Sequence, residues 1–390
     1  MTVEERTRPA IGGRAVPLRN VEVKSRRWFT LGQARTDGNG RFSIGQGYRR
    51  EAKVFVEFKT ERATTRGITF GTLARPWELV LPIRHQLGSY TGSQMQGLRY
   101  HFSYQADATT KGALSWTAAT LFNTVDDMYA YCAASGIPTP PANLNIMLFS
   151  RLTSSAATPM LRYLTETSLV SQMISQTLTP AGQVLKAVVQ RQLPDITCRY
   201  EGNGEALLTD ELDETFFHEL GHSVHYRQAG NLYWTGYITL IVEAAAKRLL
   251  DNSRTSIYGR KTDNGAGLIA VSEAWGNYVG NTFAARKYDA INLNIARFNR
   301  DRLEFQTPND DPDDDDRWIV YGMFHDMTDN TTEPPATGVT DNVNSYTTIQ
   351  LYRAMQPDVM GVRKYQQRVL SQNNNRQASE MEQLVTSYRW

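Results

Sequence analysis

Two histidines four residues apart, His218 and His222, enclose Glu219, Leu220 and Gly221 in a stretch whose apolar residues keep a helical period. Leu212, Phe216 and Leu220, widened by Phe217 and Val224, form one buried stripe and leave both imidazoles facing an adjacent cleft. Residues four apart lie about 6 Å along a helix axis, so the two rings can converge on one metal ion. Glu219 is about 100° round the helix, which suits a base acting on a water beside that ion better than a third ligand. Asp210 is the N-cap candidate, and acids in the first turn oppose the positive end of the helix dipole. Gly230 is a natural stop. His225 continues the same stripe, but seven residues set it about 10.5 Å from His218, too far to share a tetrahedral ion. It reads as a support for a ligand histidine or a hydrogen-bonded core residue. A third protein ligand must therefore come from another element.

The rest of the 390 residues sets bounds on what surrounds this helix. An apolar share of 41% supports an ordinary core, in one large domain or two smaller ones. A formal net charge of +2, with both signs mixed along the chain, gives no electrostatic case for nucleic acid or an anionic membrane. The apolar stretch around 236–250 is interrupted by Glu243, Lys247 and Arg248 and is too short to span a bilayer. Met1 to Pro9 carries two glutamates and no apolar core, so it is not a signal peptide as written. Cys132 and Cys198 lack metal-type spacing and read as buried thiols or one disulfide.

Punctuation changes along the chain. The first 85 or so residues hold short apolar runs between glycine-rich turns: Val16–Val23 leads into an alternating strand, Thr36–Phe42 is a tight turn and Ala52–Phe58 alternates again. Asp37-Gly38-Asn39-Gly40 reads as a plain β-turn, since a calcium loop needs more oxygen ligands at ordered spacing. From Gly88 onward helical spacing dominates, with a helix expected over Trp116–Ala134 and another near 181–192. Strands are expected at Asn143–Phe149 and Ile196–Tyr200. The acidic run Asn309–Asp316 reads as a solvated loop, with a calcium site as the sharper alternative.

The proline-containing first strand followed by T-D-x-x-G-x-F resembles the carboxypeptidase regulatory-like (transthyretin-like) domain over about Ile11 to Pro82. The helix carrying His218, Glu219 and His222 resembles that of gluzincin-type, thermolysin-like zinc peptidases. Together these resemblances imply an α+β fold, an N-terminal antiparallel β-sandwich (1–87) followed by a mixed, mostly helical zincin-like catalytic domain (88–390). They imply an extracytoplasmic or secreted protein too. The metzincin pattern would need glycine and histidine where His225 and Gln228 stand.

In gluzincins the third ligand is a glutamate on a second helix, and a residue four further on hydrogen-bonds the back of a zinc histidine. The resemblance favours Glu273, in Val271-Ser272-Glu273-Ala274-Trp275-Gly276-Asn277, whose small neighbours let the helix approach and whose +4 residue is Asn277. Glu243 lies nearer in sequence, 21 residues past His222 against 51, but has the cation Lys247 at +4. The expectation is a zinc ion held by His218, His222 and Glu273, with Glu219 as general base for hydrolysis of a peptide or protein substrate. His325 and Tyr321, and more weakly Tyr278, are candidates for stabilising the oxyanion. A surface-binding or scaffold protein with a structural or inactive zinc site is the different-class alternative; a zinc hydrolase of a non-peptide amide or ester is the other.

Overall fold

The fold was described from a computed structural model covering residues 1–8, 13–68, 81–150, 194–251, 256, 258–293, 295, 303, 306–308, 317–331 and 337–390. It is a mixed α and β protein, with twelve strands and seven helices among the described residues. Two compact units divide them: Met1–Tyr129 with 141–150 and 194–216, and Ala130–Pro140 with Phe217–Trp390.

Alternation of apolar and polar residues builds the largest sheet of the first unit. Strands β3 (Glu22–Arg27), β4 (Thr30–Arg35), β5 (Ala52–Glu57) and β7 (Arg84–Tyr90) pair antiparallel in the order β4-β3-β5-β7. Val23 and Ser25 of β3 and Ala52, Val54 and Val56 of β5 are buried on one face. Asn20, at φ 53°, breaks the run through Val16 to Val23 into β2 (Arg14–Pro17) and β3. The Asp37 turn closes through its own carboxylate, whose Oδ1 accepts the backbone N–H of Asn39 at 2.9 Å and of Arg41 at 2.8 Å.

Strands from the front of the chain also pair with later ones. β1 (Thr2–Glu5) pairs antiparallel with β2 and parallel with β8 (His101–Phe102). β6 (Ala63–Ile68), β9 (Leu144–Phe149) and β10 (Ile196–Arg199) form a parallel sheet in the order β10-β9-β6, the last two close to their expected positions. Parallel neighbours require a crossover, and the one from β6 to β9 contains helix α1 (Lys111–Ser135). The short β11 (Glu201–Gly202) and β12 (Glu205–Ala206) make a hairpin before the histidine-bearing helix.

Helix α1 begins five residues before its expected start because Thr110 caps it, its Oγ1 accepting the Ala113 N–H at 3.0 Å. Its end matches expectation: Gly136 takes φ 72° and the Ile137 N–H closes on the Cys132 carbonyl. Phe122 packs edge-on against Phe58, which meets Phe102 in the same way, and Trp116 Nε1 donates to the Glu4 carbonyl. Thr124 donates to Asp213, which ties α1 to the first turn of α2 (Thr209–Asp251). Asp210 is not the N-cap. Leu208 holds that position, its N–H bonded to Glu211 Oε2, while Asp210 Oδ1 accepts the Arg8 N–H at 3.3 Å. Cys132 and Cys198 are buried thiols, and burial pushes Cys132 up to about 12.

In the second unit α3 (Ala266–Asp289) is buried almost throughout. Trp275 and Tyr278 pack with Phe324 of α4 (Met323–Asp326), which meets Tyr365 of α6 (Val362–Gln372), while Tyr352 of α5 (Thr348–Ala354) meets Trp275. The last helix, α7 (Ala378–Ser387), leads to Tyr388, whose hydroxyl donates to buried Asp326. The expected helix near 181–192 and the acidic run 309–316 lie outside the described residues. No helix among the described residues is long and apolar enough to cross a membrane.

One buried ion cluster in the first unit gives a stability test. Burial opposes ionisation of Glu57, but hydrogen bonds and charge from Lys24 (2.9 Å) and Arg84 (2.6 Å) outweigh it and hold the carboxyl below its ordinary 4.5. A depressed folded value stabilises above the unfolded one, so this contribution is present above pH 4.5 and is lost as pH falls through the folded value. Glu57→Gln should cost about 1–2 kcal/mol in neutral urea denaturation, Arg84 being half exposed, and that cost should shrink in acid.

Candidate metal centre

Helix α2 is not one rod. Gly230 has φ 70° and ψ −173°, a conformation essentially reserved for glycine, and helix resumes beyond it. The break folds the chain back. Residues 15 apart on a straight helix would lie about 22 Å apart along its axis, yet the rings of His222 and Tyr237 are 6.3 Å apart. The expected stop at Gly230 is thus a hinge between two antiparallel stretches. Tyr233, Trp234 and Tyr237 from the second stretch wall the histidines of the first, with ring separations of 4.7 Å for His225–Tyr233, 5.2 Å for His225–Trp234 and 5.6 Å for His222–Trp234.

Helix α3 closes the other side. Trp275 Nε1 donates to the Gly221 carbonyl at 3.0 Å, fixing the height of α3 against α2. Gly221 meets Val279, whose Cβ would lie 3.0 Å from an added methyl. Gly276 lies beneath the imidazoles: a Cβ there would stand 2.8 Å from Cε1 of both His218 and His222, closer than carbon atoms pack. Glycine at these two positions lets Glu273, one turn before Gly276, reach the histidines.

The result brings together the three residues expected as ligands. His222 Nε2 lies 3.4 Å from Glu273 Oε1, His218 Nε2 lies 3.5 Å from Glu273 Oε2, and the two Nε2 atoms are 2.9 Å apart. All three ligand atoms lie within 4.8 Å of one another, a group that could hold a metal ion. Nitrogen and oxygen ligands about 2.0–2.1 Å from a tetrahedral zinc stand about 3.3 Å apart, so each histidine has one Glu273 oxygen at near that separation, a different one for each, and the rings need part by only about 0.4 Å. Glu243, the alternative, is exposed and outside the group.

Electrostatics suit cation binding. Burial pushes His222 down to about 3, against the pull of Glu273, so its ring is neutral with a lone pair available. Burial also works against charge on His218, but the hydrogen bond and charge of Glu273 and the charge of Glu219 raise its value. Burial alone would raise Glu273; His222, His218 and a hydrogen bond donated by Tyr237 to Oε1 bring it down to about 2. Tyr258 joins the same carboxylate, and burial followed by the charge of Glu273 holds its phenol protonated far above its usual range. Glu219 is buried, its Oε2 has no hydrogen-bond partner among the described residues, and burial with the Glu273 charge raises it to about 8 against the pull of His218. A carboxylate kept out of water beside a cation site is suited to accepting a proton.

Three expectations fail in detail. Asn277 does not brace a ligand histidine: its Nδ2 donates to the Glu273 carbonyl at 3.0 Å, a bond within its own helix, and His222 Nδ1 has no partner among the described residues. His225 is core but not hydrogen-bonded; both ring nitrogens are unpartnered among the described residues, and edge-to-face packing with Tyr233 and Trp234 holds the neutral ring. Tyr278 is core, its hydroxyl 2.9 Å from Thr348 Oγ1 and its ring stacked on Phe324. His325 Nε2 sits 3.9 Å from Asp329 Oδ2 in an i,i+4 pair. Tyr321 is close enough to Tyr258 for its charge to bear on that phenol.

Sequence reasoning missed Tyr237 and Tyr258. The signal for Tyr237 was present: a glycine hinge followed by Tyr233, Trp234 and Tyr237 at helical spacing. Tyr258 had none, because nothing local to 256–260 points to Glu273. No known protein-family model and no curated protein matches the chain.

Zinc titration tests this geometry. Gly276→Ala should weaken affinity at least about tenfold by pushing the rings aside, and Tyr237→Phe about 10–100-fold by freeing the Glu273 carboxylate. Glu273→Ala should abolish tight binding and Glu243→Ala should leave it unchanged; the reverse pattern would refute the ligand assignment. Gly230→Ala should cost about 1–3 kcal/mol of stability in chemical denaturation.

Proposed function

We propose that the chain is a zinc-dependent peptidase of the gluzincin type, with His218, His222 and Glu273 as metal ligands and Glu219 as general base. The observation that carries this reading is the convergence of two imidazoles and a carboxylate beside a second, dehydrated carboxylate with an unpartnered oxygen. A structural zinc site would use four protein ligands and has no need of a base; three ligands leave a position open. Zinc bound there would polarise a scissile carbonyl and make water more acidic.

The chain's own groups supply the remaining chemistry. Glu219 takes a proton from the attacking water and delivers it to the leaving amine, so one carboxylate serves as base and then as acid. Burial makes its carboxylate more basic, and a cation bound at the adjacent ligands would favour the ionised form that accepts the proton. Tyr237 holds Glu273 in a fixed orientation by donating to Oε1. Trp234, brought back by the break at Gly230, packs edge-on against the His222 ring.

The antiparallel sheet β4-β3-β5-β7 supports a sandwich-like region within 1–87, and the paired histidine and glutamate helices support a zincin-like domain within 88–390. An extracytoplasmic or secreted location follows only from the resemblance to the regulatory-like domain.

Purified protein loaded with zinc should cleave an unfolded polypeptide and lose that activity to a chelator. Glu219→Gln should lower the rate by about 10²–10⁴-fold while zinc content, read by elemental analysis, stays at the wild-type level. Zinc content near zero after loading, or wild-type rates in Glu219→Gln, would overturn the proposal. Hydrolysis of esters with no peptide cleavage would overturn the substrate class.

A further inference from the structure

The hairpin between β3 and β4 ends in an exposed aromatic pair. Arg27 and Thr30 are the last paired residues, so Trp28 and Phe29 form a two-residue turn. Trp28 is 77% exposed and Phe29 99% exposed, and Leu31 beside them is 53% exposed. Large apolar side chains rarely stand together in water at the tip of an element, where no groove or neighbouring strand covers them.

The backbone marks the same position. Trp28 has φ 49°, and the first central residue of a two-residue hairpin turn with left-handed φ is ordinarily glycine. A bulky aromatic there is strained, and its exposed side chain recovers no burial in compensation. Arg26 steadies the turn by donating Nε–H to the Trp28 carbonyl at 3.1 Å.

Cations surround the tip. Arg26 pairs across the sheet with Leu31 on one side and Lys53 on the other, and the chain entering β5 brings Arg49 and Arg50 to the same end. Arg26, Lys53, Arg49 and Arg50 are exposed, and Arg27 half-buried. None of the five is ion-paired among the described residues; exposed Glu51, next to Arg50, stands among them as an acid and leaves the cations in excess, while Glu22 and Glu57 bind Lys24 and Arg84 at the other end of the sheet. The near-neutral net charge of the whole chain hides this local field.

We propose that this hairpin tip docks the protein on an anionic lipid bilayer, with Trp28 and Phe29 entering the interface and the flanking arginines and Lys53 meeting lipid phosphates. The shape selects a bilayer over a folded protein partner: a protruding apolar tip needs a complementary pocket on a protein, whereas a bilayer yields around it. Tryptophan and arginine both favour the headgroup layer, and each cation near an anionic surface adds to binding. The proposal is independent of the metal site.

Vesicle co-sedimentation of the full chain tests it. Binding to vesicles of equal phosphatidylglycerol and phosphatidylcholine should exceed binding to pure phosphatidylcholine by about tenfold or more and should weaken in high salt. The double variant Trp28→Ser with Phe29→Ser should lose about tenfold or more, and Arg26→Gln with Arg27→Gln should lose binding selectively to the anionic vesicles. Brominated lipid should quench wild-type fluorescence more than that of Trp28→Phe, a readout that places the indole in the bilayer. Circular dichroism of each variant should match the wild type, the tip being outside the core. Absence of binding to either vesicle, or wild-type binding by the aromatic double variant, would overturn the proposal. So would tip-dependent binding to an acidic polypeptide such as polyglutamate without binding to vesicles.

Discussion

The second unit depends on how closely two helices can approach. Gly221 on α2 and Gly276 on α3 remove the side chains that would hold the helices apart, and Trp275 locks the contact by donating to the Gly221 carbonyl. Without that approach Glu273 would stand away from the histidines and would be an unpaired buried carboxylate. Such a group costs several kcal/mol unless charges and hydrogen bonds compensate it. Here the helix packing and the compensation are one arrangement, because the residue that lets the backbones meet lies directly under the imidazoles that accept the carboxylate's field.

Burial then divides the ionisable groups by role. His222 is kept neutral, Glu273 ionised and Glu219 poised high, although all three are enclosed in the same helical hairpin and its partner. Each carboxylate has one oxygen without a hydrogen-bond partner among the described residues, and the difference lies in the other neighbours: Glu273 has two imidazoles beside it and a hydrogen bond from Tyr237, whereas Glu219 feels Glu273 as a like charge. Two neighbouring carboxylates are driven apart in their ionisation by this asymmetry.

The first unit shows the opposite use of exposure. Its sheet buries Val23, Val54 and Val56 on one face and pairs Glu57 with Lys24 and Arg84 on the other, as an alternating pattern requires. At the hairpin tip the pattern is broken by a strained tryptophan and an uncovered phenylalanine. Local consistency elsewhere makes this departure informative, since sites that violate local rules are those where something other than folding is being served. Overall charge gave no hint of it, because a field over a few residues is invisible to a sum over the chain.

Much of the site was legible because helical periodicity is local. The spacing of His218 and His222, the apolar stripe through Leu212, Phe216 and Leu220, and the end of α1 at Gly136 each depend on residues within a turn or two. What failed was long-range or competitive. Asn277 could bond its own helix carbonyl as easily as a histidine, and Asp210 could serve β1's trailing chain while Leu208 and Glu211 shaped the helix start. Gly230 announced an interruption but not whether the chain would leave or fold back. By itself the sequence determined a helix carrying two histidines at ligand-type spacing with a glutamate between them, because 3.6-residue periodicity and side-chain chemistry are properties of a short segment. Tertiary structure alone decided that Tyr237, 36 residues away, orients Glu273, and that Trp275, 54 residues beyond Gly221, sets the height of α3 against α2. Those contacts arise from packing two helices to backbone distance, and no local period encodes where distant segments meet.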